Sequence, residues 1–228
     1  DILGPYEMVR EGIRPLGMSA GDFDLAVAPD GKAYYYFERV HSETICADLT
    51  PDYTDVAGFY STHFPRISPP YVREATAHFY RTGKHYLITS GTTGYLPNPS
   101  EVAVADTWHG PFTVLGNPHR YDESHTSFHT QISSVLKVEG KKDLYIACAD
   151  RWAPDSMELE YESYKKYFEL SFHPDVRKHW EAKELYNSKM DDLKRNTSVA
   201  EYVWLPLKFE GDMVYIDWME EWRLEDYE

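Results

Sequence analysis

The chain has 228 residues, 42% of them hydrophobic, and 38 acidic against 23 basic residues give a net charge of −15. That is too apolar for disorder and long enough for one large domain or two small ones. The acidic balance repels phosphate backbones, and no Lys/Arg cluster interrupts it. No run of about 18 apolar residues offers a membrane span, so neither nucleic acid nor a bilayer is an expected partner, and a neutral one is. Aromatic residues make up 15% of the chain. Strands favour such residues, which also form flat walls for sugar rings or peptides.

In chain order, the opening DILGPYEMVREG lacks the charged-then-apolar pattern of a signal peptide, so an exported form would already have lost its signal. LAVAPDGKAYYYF then predicts a hairpin turning at Gly31, followed by a strand in SETICADLT. AHFYRTGKHYLIT predicts a second, turning at Gly83, followed by a strand in SEVAVADTW. GPYEMV from Gly4 and GPFTVL from Gly110 repeat one another and are expected where an outer strand ends a unit. VLKVEGKKDLYIA predicts a third hairpin, at Gly140, and LKFEGDMVYIDW a fourth, at Gly211. Glycine suits these turns because it tolerates positive φ without a Cβ clash. Cys46 and Cys148 lie in strand-like apolar runs and are expected as two buried thiols. His125 and His129 in HTSFH have the i, i+4 spacing of helical metal ligands, yet their context is a loop leading into a strand, where that spacing does not converge. No metal is expected there.

One segment breaks the pattern. From Ala153 to Ala200 the chain is rich in Glu, Lys, Leu and Met, with few β-branched residues and Pro174 near the middle. This predicts two helices divided by the proline. Tyr164, Phe168, Phe172, Trp180 and Leu185 recur at near-helical spacing and predict a packed face. An ornamental insertion is preferred to a lid over a ligand. The repeating unit, about fifty residues with roughly four short strands, is that of a propeller blade, since one small sheet must stack on copies of itself. The last hairpin either opens a fourth blade or supplies the outer strands of the third, and the ring is short either way. The expected fold is therefore all-β: an incomplete propeller of four-stranded antiparallel blades, one partial domain over residues 1–228, with a helical insertion at about 153–200.

SAGDFDLAVAPDGKAYYYF, REATAHFYRTGKHYLITSGTTGYLPN, TQISSVLKV followed by LYIACADRW, and YVWLPL resemble the successive signatures of glycoside hydrolase family 43, a five-bladed β-propeller family, and most closely its exo-β-1,3-galactanase-like branch. The resemblance covers nearly the whole chain outside the helical segment. It matches the last three blades, with DILGPYEMV as the tail of the blade before. It implies an inverting glycoside hydrolase of β-linked galactosides, acting on an oligosaccharide or polysaccharide without a cofactor, secreted or periplasmic rather than cytoplasmic. In the family the first blades supply one wall of the pocket and a further acidic residue. Self-association, a complementary N-terminal segment or the helical insertion is expected to cover the open propeller edge. An arabinofuranosidase or xylosidase of the same family, and a carbohydrate-binding propeller without turnover, are the alternatives.

Glycoside cleavage needs a protonated acid beside the leaving oxygen and, for inversion, a group holding water on the opposite face of the ring. The resemblance assigns the acid to Glu74 in VREATAHF, at the start of an innermost strand where lost solvation would raise its pKa. It assigns to Asp22 in AGDFDLAV the tuning and orienting of that acid, with Asp24 on the same strand face as the competing candidate. An Arg precedes this Asp in the family, whereas Gly21 stands here. Gln131 in HTQISSV matches a glutamine that positions water by hydrogen bonds. Asp150, Arg151 and Trp152 in ADRW, and Trp204 in YVWLPL, resemble residues that bind hydroxyls or stack on sugar faces, and Tyr95 stands where the branch usually has Trp.

Overall fold

The computed structural model describes residues 3–184 and 196–228. Its strands form three four-stranded antiparallel sheets. The first is β1 (Ala20–Val27), β2 (Ala33–Arg39), β3 (Glu43–Leu49) and β4 (Val56–His63), in that order. The second is β5 (Arg73–Arg81), β6 (Lys84–Gly91), β7 (Glu101–Ala105) and β8 (Thr113–Gly116). The third is β9 (Gln131–Lys137), β10 (Tyr145–Arg151), β11 (Glu201–Glu210) and β12 (Met213–Ile216). Each sheet is a meander, so each is one blade, and the last hairpin supplies the outer strands of the third blade. The four turn glycines all have positive φ, as the turns demand.

The blades stack face to face, with β5 flanked by β1 on one side and β9 on the other. These three innermost strands therefore surround the axis. Tyr34, Tyr36, Cys46, Leu87 and Ala103 fill the layer between the first two blades, with Trp108 stacked on Tyr34 at 4.4 Å. Tyr86, Ile88, Val102, Ala147, Leu205 and Val214 belong to the larger core between the second and third. GPFTVL supplies the outer strand β8, as expected, but GPYEMV forms no strand. Tyr6, Met8 and Val9 are exposed there. Both cysteines are free, Cys46 buried and Cys148 only half-buried, a correction to the expectation of two buried thiols. Cys148 faces away from the core to which its neighbours Ala147 and Ala149 belong.

The segment between β10 and β11 is helical at α1 (Tyr161–Ser171) and again at 177–184, with Pro174 between them. Pro174 forbids continuation of the first helix because the residue before a proline is pushed out of the α region. Tyr161 and Tyr164 pack with Leu96 of the second blade, and the Tyr164 hydroxyl donates to the carbonyl of Pro97. Tyr71 donates to Glu169, and the edge of Phe172 meets the His41 ring at a centroid distance of 5.8 Å. A segment inserted in the third blade thus crosses the second and touches the first. Trp180, expected on the packed face, is exposed, and Leu185 lies outside the described residues.

Candidate active site

Glu74 stands at the axial start of β5, where register with β6 slips between Glu74 and Ala77. Ala75 in this bulge has a φ of +48°, in the left-handed region that a residue with a Cβ avoids. Bulges re-aim side chains, and unfavourable backbone angles of this kind cluster at functional sites. Arg73 and Glu74 part company here. The buried Arg73 guanidinium donates to Thr89 Oγ1 at 3.0 Å and to its carbonyl at 2.6 Å, and lies 3.4 Å from Glu101. Glu74 instead meets Gln131, and it is 8% exposed.

Gln131, the first residue of β9, has its amide orientation fixed by its neighbours. Trp152 Nε1, which can only donate, reaches Gln131 Oε1 at 3.2 Å. The amide nitrogen must therefore face the other way, and it donates to Ser90 Oγ at 2.8 Å and to Glu74 Oε1 at 3.5 Å. The ring of Tyr95 packs edge-on against Trp152 at 5.4 Å. Glu74, Gln131, Trp152 and Tyr95 consequently form one connected group, drawn from blades two and three.

The first blade brings three more residues to the same place. Glu38, near the end of β2, is 2% exposed and accepts from His41 Nδ1 at 2.6 Å. Donor atoms of Glu38, His41 and Glu74 all lie within 4.8 Å of one another. Within this trio Glu38 and His41 are hydrogen-bonded to each other, while Glu74 is bonded to Gln131. His125 and His129 join no such cluster among the described residues. Asp22 is exposed beside this group, and its charge acts on both Glu38 and Glu74. Asp24 is tied down elsewhere: its carboxylate accepts from the backbone N–H of His78 on β5 at 2.7 Å. A bulge in β1 between Ala20 and Phe23 separates the surroundings of the two aspartates.

The electrostatics follow from this packing. Burial is the largest cause pushing the Glu74 carboxyl up to about 8, reinforced by the charges of Asp22 and Glu38 and opposed by hydrogen bonds from Thr92 and Gln131. Burial also raises Glu38, with His41 working against it. Glu74 therefore carries its proton at neutral pH, the state a general acid requires.

Asp150, Arg151 and Trp204 complete the residues singled out from sequence. Asp150 stands directly opposite Gln131 in the β9–β10 pair, and burial raises its carboxyl, with Ser133 working against it. Arg151 donates to the carbonyl of Phe128 at 3.1 Å and faces the Trp218 ring at 5.1 Å, joining the loop before β9 to the C-terminal segment. Trp204 alternates with the core residue Leu205, so it points to the opposite face of the third blade and is exposed. Sequence reasoning missed Glu38 and His41. An acid in an apolar β2 run was the available signal, because a charged residue is rarely buried without a reason.

No protein-family model and no curated protein sequence matches this chain. Solved structures do. A family 43 β-1,3-galactosidase aligns at a TM-score of 0.68 and 24% identity, over 94% of this chain and 36% of its own. A second family 43 β-1,3-galactosidase, solved with galactodeoxynojirimycin, aligns at 0.65 and 26%, over 91% of this chain and 48% of its own. An exo-β-1,3-galactanase from Phanerochaete chrysosporium, solved with β-1,3-galactotriose, aligns at 0.61 and 18%, over 90% and 37%. The chain has the blade fold of glycoside hydrolase family 43. It spans about a third to a half of the length of these relatives. The resemblance read from the motifs thus holds as a partial match to the family 43 propeller.

Proposed function

We propose that the chain carries the acid half of an inverting glycosidase site for β-1,3-linked galactosides, with Glu74 as general acid. The observation that carries this reading is a carboxyl buried at the propeller axis, held protonated by burial and by two acidic neighbours, in a chain with the family 43 fold. A protonated Glu74 would donate to the glycosidic oxygen as the bond to the anomeric carbon breaks. After each turnover the Glu74 carboxylate would take its proton back from solvent water, an uptake that the neighbouring Asp22 favours.

Gln131 has a narrower role than water holding alone. Both amide hydrogens are engaged, by Ser90 and Glu74, and one Oε1 lone pair already accepts from Trp152. In this arrangement the amide clamps the acid, and only the second Oε1 lone pair is left for water. An inverting site keeps acid and base about 6.5–9.5 Å apart. The amide nitrogen, 3.5 Å from Glu74, is too near to sit across a sugar ring from it. Trp152 and Tyr95 would supply the aromatic wall. Galactosides are preferred because two of the aligned structures were solved with β-1,3-galactotriose and galactodeoxynojirimycin.

The neutral amide at position 131 also favours a second reading, a galactoside-binding propeller without turnover. Hydrolysis of β-1,3-galactobiose by the unaltered protein, with Glu74→Gln as control, separates the two. The glycosidase reading expects a rate that the substitution lowers by roughly 10²–10⁴-fold. A rate of zero together with a galactose-induced rise in Tm supports binding alone.

A further inference from the structure

Glu38 is an acid buried where an acid is costly, and no step above uses it. Its setting is built from both flanking elements. On β1, position 21 is glycine, and a Cβ there would collide with Glu38 Oε2. The missing side chain is what lets the carboxylate lie against β1 beside Asp22. On the turn after β2, His41 donates to Glu38 at 2.6 Å, and Phe172 from the helical insertion packs its ring edge against His41. The carboxylate is thus fixed from two sides, within 4.8 Å of Glu74.

We propose that Glu38, clamped by His41, is a positioning residue for Glu74: a second buried carboxylate set against the acid so that Glu74 keeps its proton. The inference rests on reading Glu74 as the general acid and adds to that reading a second device, beside burial, that keeps it protonated. Two carboxylates this close in a site poor in water disfavour double ionisation. His41 favours the charge on Glu38, because its hydrogen bond stabilises the ionised form of that carboxyl against the burial that raises it. The other groups facing Glu74 are Asp22 from β1, Gln131 from β9, and Ser90 and Thr92 on or after β6, while Arg73 turns away to Thr89 and Glu101. Of these only Asp22 brings a second negative charge, and it acts on Glu74 more strongly than Glu38 does; but Asp22 is exposed, whereas Glu38 is buried and fixed by His41. The insertion has a part in this through Phe172, which holds the His41 ring edge-on.

The test is the titration of Glu74 itself, followed by carboxyl ¹³C NMR of glutamate-labelled protein, with the Glu74 resonance assigned through Glu74→Gln. In Glu38→Gln the Glu74 midpoint is expected to fall by about one pH unit or more, because the neighbouring charge is gone while its shape remains. Gly21→Ala, which keeps the Glu38 charge but displaces it from β1, is expected to lower the midpoint by less. A Glu74 midpoint unchanged in both folded variants would overturn the proposal. Hydrolysis gives an independent readout. Where turnover is present, the alkaline limb of its pH profile moves to lower pH in Glu38→Gln, since activity needs the protonated acid. Turnover absent at every pH with the midpoint still shifted sinks the glycosidase reading and leaves this inference standing. Turnover present with neither midpoint nor limb moved does the reverse.

Discussion

The second blade and its two neighbours are built from similar strands, yet they differ in what covers them. In β6 every residue after Lys84 is buried, whereas β1 exposes Phe23, Leu25 and Val27 along one side. The third blade repeats the one-sided pattern, with Leu136, Tyr202 and Trp204 exposed. The difference teaches what a propeller blade is. A single four-stranded sheet has two apolar faces, and only a blade flanked on both sides buries both. Glu74 belongs to the flanked blade, and that position gives the acid its low hydration.

If flanking is what matters, the largest effect should come from the ionisation of Glu74. Its folded pKa is raised from the ordinary 4.5 to about 8, so the stability belonging to its protonated form is present below about pH 4.5 and is lost as pH rises towards 8. Glu74→Gln escapes that loss. Urea unfolding should show the variant gaining on the parent protein between pH 5 and 9, by at most about 5 kcal/mol. A gap independent of pH would break the comparison at its centre.

The next effect concerns apolar packing. Leu87→Ala, at a position with 0% exposure between the first two blades, is expected to cost about 2–5 kcal/mol. Leu25→Ala, 55% exposed on the open side of the first blade, should change stability by no more than about 0.5 kcal/mol. Comparable losses at the two positions would mean that the open face is covered in solution, and light scattering would then report an assembly.

Much of this was legible in the chain. Hairpin turns marked by Gly31, Gly83, Gly140 and Gly211 fixed the strand pairs, because alternation and turn chemistry are local signals. Glu74, Gln131, Trp152 and Tyr95 do meet, and Asp22 stands beside them. GPYEMV was misread because a strand requires a partner, and its likeness to GPFTVL says nothing of whether one is present. Trp204 was grouped with the acid by motif, but the alternation that buries Leu205 turns it away, whereas Asp150 stands opposite Gln131. Glu38 was passed over for a different reason. Its importance arises from Gly21 on the neighbouring strand and from His41 past a turn, and no periodicity links the three.

The most direct test is the Glu74 carboxyl titration in the unaltered protein. A midpoint near 8 is the expected result, with the carboxyl protonated at neutral pH by lack of water and by the acids around it. A midpoint at the usual carboxylate value would mean that water reaches Glu74 freely, and the assignment of a general acid at the propeller axis would fall with it.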